Sequence, residues 1–179
     1  MNINFLQIHD FNLEISKRLN ECVDLLPNEW VCLTDNDVLK FPQFAEQLKE
    51  VLSTSSKSNV YGSMTNRLRP TNPQVVYEMF EESDINEHFY KAGELWDKYG
   101  TELKETRLIA GSCMVFHKSL WEAVGGFDES KTFFDKYFSY AVVDNGGKCL
   151  IMQGIYTLHL YRWGSESPIN EVQHLIKKK

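Results

Sequence analysis

The chain has 179 residues, 42% of them hydrophobic and 25% charged, which suits one domain with a real core. Its net charge of -6 argues against a general nucleic-acid or anionic-membrane binder, because phosphate contacts need clustered Lys and Arg. No apolar run approaches the roughly 18 residues that span a bilayer, and Met1 to Asp10 carries no basic n-region, so the expectation is a cytoplasmic chain without signal peptide or transmembrane segment.

In chain order, Ile3 to Ile8 reads as a short strand and Phe11 to Leu26 as a helix, with Leu13, Ile15, Leu19, Cys22, Val23 and Leu26 near helical spacing. Pro27-Asn28 ends that helix. Trp30-Val31-Cys32-Leu33 is a continuous apolar run, as in a strand buried on both faces, and it stops abruptly at Thr34-Asp35-Asn36-Asp37. Pro42 suits a first helical turn, and Phe44, Leu48, Val51 and Leu52 form the stripe of the helix that follows. Val60-Tyr61-Gly62 predicts another strand. Residues 63 to 74, with two prolines, Arg67 and Arg69, predict a long surface loop. Val75 to Gly100 predicts two helices broken near Ser83-Asp84.

Cys113 to Phe116 is a second buried strand. A capping-box pattern at Ser119 to Glu122 opens a short helix, which Gly125-Gly126 closes. Phe133 to Asn145 reads as a helix, and Lys148 to Met152 and Ile155 to Leu160 as late strands. Ser165 to Lys179 looks like a tail. Cys22, Cys32, Cys113 and Cys149 form no C-x-x-C pair, so they read as reduced, mostly buried thiols rather than a zinc site. Alternating strands and helices give an α/β class with a mixed sheet.

Asp35-Asn36-Asp37 directly follows a buried strand, and open α/β sheets bind ligands beyond the carboxyl ends of their strands. Two close carboxylates repel each other unless a cation such as Mg²⁺ or Mn²⁺ lies between them. An ordinary Asp/Asn turn is the alternative. His159, at the end of the last strand, is either a further metal ligand or a structural histidine. Asp135 reads locally as an acidic residue in the first turn of its helix, favoured by the dipole. Arg67 and Arg69 are candidate diphosphate partners, with a solvated loop as the alternative. Tyr161, Arg162 and Trp163 follow His159 closely, either covering a ligand or packing the tail.

Ala110-Gly111-Ser112-Cys113-Met114-Val115-Phe116 followed by Gly125-Gly126-Phe127-Asp128-Glu129 resembles the acceptor-side segment of family 2 glycosyltransferases. Taken with the upstream Asp35-Asn36-Asp37, the resemblance covers about residues 12 to 162 and implies a single GT-A-like domain over 1–164, a central mixed sheet flanked by helices, with 165–179 as the tail. It implies a nucleotide-sugar donor, UDP-linked, held at Asp35, Asn36 and Asp37 through Mn²⁺ or Mg²⁺. Gly111 would lie close to the ligand, and Asp135, or else Asp128, would act as the general base that activates the hydroxyl of a glycan or other acceptor. Only Asp135 remains of the family's usual Glu-Asp pair, in Phe133-Phe134-Asp135-Lys136-Tyr137. Thirty-four residues precede Asp35, room for one strand and one helix, and the family's opening strand with its uracil-contacting acid has no counterpart. Three functions follow from this sequence: a metal-dependent glycosyltransferase, a non-catalytic binding or assembly module on the same scaffold, and, ranked third, a nucleotidyltransferase.

Overall fold

A computed structural model describes residues 1–8, 14–68, 72–131 and 133–160. Seven strands form one mixed sheet. In chain order they are β1 (Ile3–Ile8), β2 (Trp30–Asp35), β3 (Val38–Lys40), β4 (Val60–Thr65), β5 (Leu103–Thr106), β6 (Cys113–His117) and β7 (Cys149–His159). The helices are α1 (Ile15–Asp24), α2 (Phe44–Ser53), α3 (Ile85–Tyr99), α4 (Lys118–Ala123) and α5 (Phe134–Asp144). The strand order is β1-β2-β6-β4-β7-β3, with β5 also on β7.

The two apolar runs singled out in the sequence are neighbours. β2 and β6 pair antiparallel, with Leu33 opposite Met114 and Cys32 opposite Val115. Strand periodicity sorts their side chains to two layers. Val31, Leu33, Met114 and Phe116 pack with Leu19 of α1, Trp121 of α4, Phe138 of α5 and Phe127 of the segment between α4 and α5. Trp30, Cys32, Cys113 and Val115 pack on the other face with Phe44, Leu48, Val51 and Leu52 of α2. Both faces are therefore covered, which is why these strands read as unbroken apolar runs.

One connection shapes the sheet. β2 and β3 are separated by β6, β4 and β7 in the strand order, yet only Asn36-Asp37 joins them. Four strand spacings of about 4.8 Å would hold them about 19 Å apart in a flat sheet. Three Cα steps from Asp35 to Val38 reach at most about 11 Å. The sheet must curl, with the Asp35-Asn36-Asp37 turn drawn across its open end. β7 assists by bending, because its register against β4 jumps from Ser63 opposite Met152 to Met64 opposite Tyr156. At that irregularity the Gly154 backbone lies directly against the Gly100 carbonyl, a contact that leaves no room for a side chain.

Several expectations are corrected. The two late strands are one bent strand, Cys149–His159. Residues 63 to 68 are no surface loop: Thr65, Asn66 and Arg67 are buried, as is Gln74, whose amide donates to the Ser63 carbonyl and accepts from the Ala110 N–H. The first of the two helices expected over 75–100 is only a single 3-10 turn, Tyr77–Met79, while Asp84 caps α3 through the Asn86 N–H at 2.8 Å. The capping box does not form. His117 is the N-cap of α4, its Nδ1 accepting from the Ser119 N–H. β3 and β5 carried no expectation from the sequence, since each is short and partly exposed. Among the described residues, no helix is long and apolar enough to cross a membrane.

Candidate metal centre

Four chain segments meet at the open end of the curled sheet. β2 delivers Asp35, the turn delivers Asp37, and β7 ends at His159, while the loop before β6 brings Ala110-Gly111-Ser112 alongside. The β3 pairing sets the meeting of turn and strand: Val38 lies opposite His159, and the Leu160 N–H donates to the Asp37 carbonyl at 2.8 Å. His159 Nε2 is consequently 3.2 Å from Asp37 Oδ1 and 3.9 Å from Asp35 Oδ2. One ligand atom from each of the three residues lies within 4.8 Å of the others. Donors sharing one ion at about 2.1–2.2 Å sit about 3 to 4.4 Å apart, so small side-chain adjustments bring all three onto one cation.

The donor set fits a divalent ion. His159 Nδ1 faces the Arg67 carbonyl at 2.8 Å, so Nδ1 carries the proton and the Nε2 lone pair points toward the carboxylates. Asp37 Oδ1 is buried and makes no hydrogen bond with acceptable geometry, a state that costs about 1–3 kcal/mol for an ordinary polar atom and more for a charged one. Burial, together with the charges of Asp37 and Asp135, outweighs the His159 attraction and pushes the Asp35 carboxyl up to about 6. Asp37 is more exposed, and its contact with the His159 ring, 3.2 Å away and attractive when that ring is charged, holds the carboxyl below the ordinary carboxylate range. The split between the two adjacent carboxylates follows from their different burial and their different distance from the imidazole.

Asp135 reaches this corner from the other side. Strand alternation puts Asp35 on the α5 face of the sheet, with Val31 and Leu33, and Asp135 is close enough to influence its ionisation. Asp135 Oδ2 accepts from the Gly111 N–H at 3.0 Å, and Oδ1 from the Lys136 N–H at 2.8 Å. A carboxylate offers about four acceptor sites, so lone pairs remain for a ligand. At Gly111 a Cβ would meet Phe134 Cζ at 2.8 Å; the glycine lets the first turn of α5 close onto this loop.

The remaining candidates lie elsewhere. Asp128 is exposed and ties down its own turn, accepting from the Ser130 N–H and Oγ at 2.9 and 2.6 Å, which keeps its carboxyl below the ordinary range. Asn20 of α1 holds the Gly-Gly-Phe-Asp-Glu segment, accepting from the Phe127 N–H at 2.8 Å and donating to the Phe127 carbonyl at 2.9 Å. The Arg67 side chain runs toward the 80–81 segment, with Nε donating to the Phe80 carbonyl at 2.7 Å and the guanidinium 3.7 Å from Glu81. Asn36 is exposed, its carbonyl accepting from Gln7 Nε2. Arg69, the Tyr161-Arg162-Trp163 run and the 165–179 tail lie outside the described residues.

Sequence reasoning missed Asn66 and Ser112. Each carries a buried side-chain atom without a hydrogen bond, Asn66 Nδ2 and Ser112 Oγ. Ser112 accepts the Asp35 N–H through its carbonyl at 3.3 Å. Asn66 belongs to no recognisable spacing, and Ser112, though inside the Ala110 to Phe116 segment, had no role of its own there.

No protein-family model and no curated protein matches the chain. Solved structures do. The mannosyltransferase PcManGT from Pyrobaculum calidifontis, in complex with GDP-Man and Mn²⁺, matches 90% of this chain with a TM-score of 0.54 at 16% identity. GalNAc-T7, solved with UDP, GalNAc and Mn²⁺, matches 81% with a TM-score of 0.55 at 10% identity. The match spans 41% and 30% of those two proteins' lengths. The chain has the fold of GT-A glycosyltransferases, and that fold carries here an Asp-Asp-His group able to hold a divalent metal.

Proposed function

We propose that the protein is a metal-dependent glycosyltransferase that moves a sugar from a nucleotide-diphosphate donor to a hydroxyl acceptor, a glycan or another alcohol. The observation that carries this reading is the convergence of Asp35, Asp37 and His159 Nε2 at the strand ends of a GT-A fold. These three would hold Mn²⁺ or Mg²⁺, which would supply positive charge against the leaving diphosphate. The donor is a nucleotide sugar, the class to which the GDP-Man of the mannosyltransferase complex belongs; a UDP-linked one follows from the sequence resemblance.

Asp135 takes the proton from the acceptor hydroxyl. Its two main-chain hydrogen bonds, from Gly111 and Lys136, fix the carboxylate beside the metal corner, and a base must come within hydrogen-bond reach of its proton. Asp128 fits that role less well, because one of its oxygens already binds both donors of Ser130.

Thermal melting with UDP, GDP, ADP, CDP and TDP, each with and without Mn²⁺, tests the proposal. A ligand that binds only the folded protein stabilises it by about 2.7 kcal/mol at a hundredfold excess over Kd. At least one nucleotide should raise Tm in the presence of Mn²⁺ and not in its absence, and Asp37→Ala and His159→Ala should abolish that rise. If no nucleotide shifts Tm with Mn²⁺, the binding-module alternative replaces this reading.

A further inference from the structure

β4 leaves the sheet after Thr65, the last residue in register with β7, where it faces Thr157. Two residues further along β7, the His159 N–H finds no strand backbone on that side. The Asn66 side chain takes over, its Oδ1 accepting the His159 N–H at 2.9 Å and the Thr65 hydroxyl at 3.3 Å. Two donors aimed at one atom fix the amide orientation, since a flip would set N–H against N–H. The next residue completes the hold: the Arg67 carbonyl receives His159 Nδ1 at 2.8 Å. Consecutive residues thus grip the backbone and the ring of one histidine.

This grip has its own anchor. Arg67 Nε donates to the Phe80 carbonyl at 2.7 Å, and its guanidinium lies 5.6 Å from the Phe80 ring centroid. Asn66 itself is fully buried and leaves Nδ2 without a hydrogen bond. A side chain kept for packing alone gains nothing from a buried, unmatched donor, whereas one that must present an acceptor at this point accepts it.

We propose that Asn66, acting with the Arg67 carbonyl, is the positioning residue of the metal corner, holding His159 in the Nδ1–H tautomer and aiming Nε2 at Asp35 and Asp37. Asn66 does not touch the ion; it acts through His159. The inference rests on the metal role proposed above for His159. It also changes what the Asn66-Arg67 segment is for: this stretch orients the metal ligand, with the Arg67 side chain serving as its tether.

The test has two arms. In metal-free protein, ¹⁵N NMR of the histidine rings reads the tautomer: the parent should show His159 protonated at Nδ1, and Asn66→Ala should show a mixture of tautomers. In the second arm, Mn²⁺ binding is followed by EPR. Asn66→Ala should bind about 10–100-fold more weakly, as expected for loss of an outer-shell partner, and Asn66→Asp, which keeps the acceptor, should restore most of the affinity. Asn66→Ser, too short to reach His159, is read in the same way as the alanine variant if that variant does not fold. An alanine variant with the parent tautomer and Mn²⁺ affinity within about twofold of the parent overturns the proposal, and so does a loss that Asn66→Asp fails to restore. If the parent binds no Mn²⁺ at all, the metal reading of the site fails, while the NMR arm still decides whether Asn66 orients His159.

Discussion

Asp35→Asn should make the metal-free protein more stable, and more so as pH rises. The Asp35 carboxyl is pushed up from 3.8 to about 6, chiefly by burial, with Asp37 and Asp135 adding to it against the pull of His159. The folded state therefore holds this proton where the unfolded chain releases it. Well below pH 3.8 the carboxyl is neutral in both states and costs nothing. As pH rises through the interval between the two values, folding must bury a charge, and stability falls. The full penalty, reached above pH 6, is about 3 kcal/mol at 1.36 kcal/mol per unit. About half of it is already present at pH 5, so the advantage of Asp35→Asn should grow by about 1 kcal/mol between pH 5 and 7.5. For a domain of this size that is about 2–4 °C in Tm. Urea or thermal unfolding in EDTA at the two pH values measures it. Added Mn²⁺ should reverse the order, stabilising the parent and not the variant. A variant that is destabilised equally at pH 5 and pH 7.5 refutes the reasoning, because the buried carboxylate would then not be the source of the cost.

Two further outcomes follow from the geometry. Asp135→Asn keeps shape and removes basicity, so sugar transfer should fall about a hundredfold to ten-thousandfold, while Mn²⁺-dependent nucleotide binding persists; an unchanged transfer rate would pass the base role to Asp128. Gly111→Ala places a Cβ 2.8 Å from Phe134 Cζ and 3.4 Å from Asp135 Cβ. It should cost about 1–3 kcal/mol by overpacking and lower transfer more than nucleotide binding, since the displaced element carries Asp135; chemical denaturation and steady-state kinetics separate the two.

The local elements were legible because local physics dictates them. Trp30 to Leu33 and Cys113 to Phe116 are strands buried on both faces, and a continuous apolar run has few other uses. Gly125 and Gly126 adopt φ of +82° and +78°, the conformations expected of a helix stop. Asp35, Asp37 and Asp135 could be picked out because carboxylates at strand ends and helix starts are chemically conspicuous. What no local pattern held was the meeting of these residues. Asp37 and His159 stand 122 positions apart in the chain, and the curl that joins them arises from a two-residue link across a sheet whose strand order cannot be read from any one segment. For the same reason residues 63 to 74 read as a surface loop. Pro70, Pro73, Arg67 and Arg69 carry that signal locally, but the Asn66 amide and Arg67 carbonyl are drawn inside by hydrogen bonds to His159, 93 and 92 residues away. Periodicity reports how a segment meets its immediate surroundings; strand order and register decide which distant segment supplies them, and here they decide the metal centre.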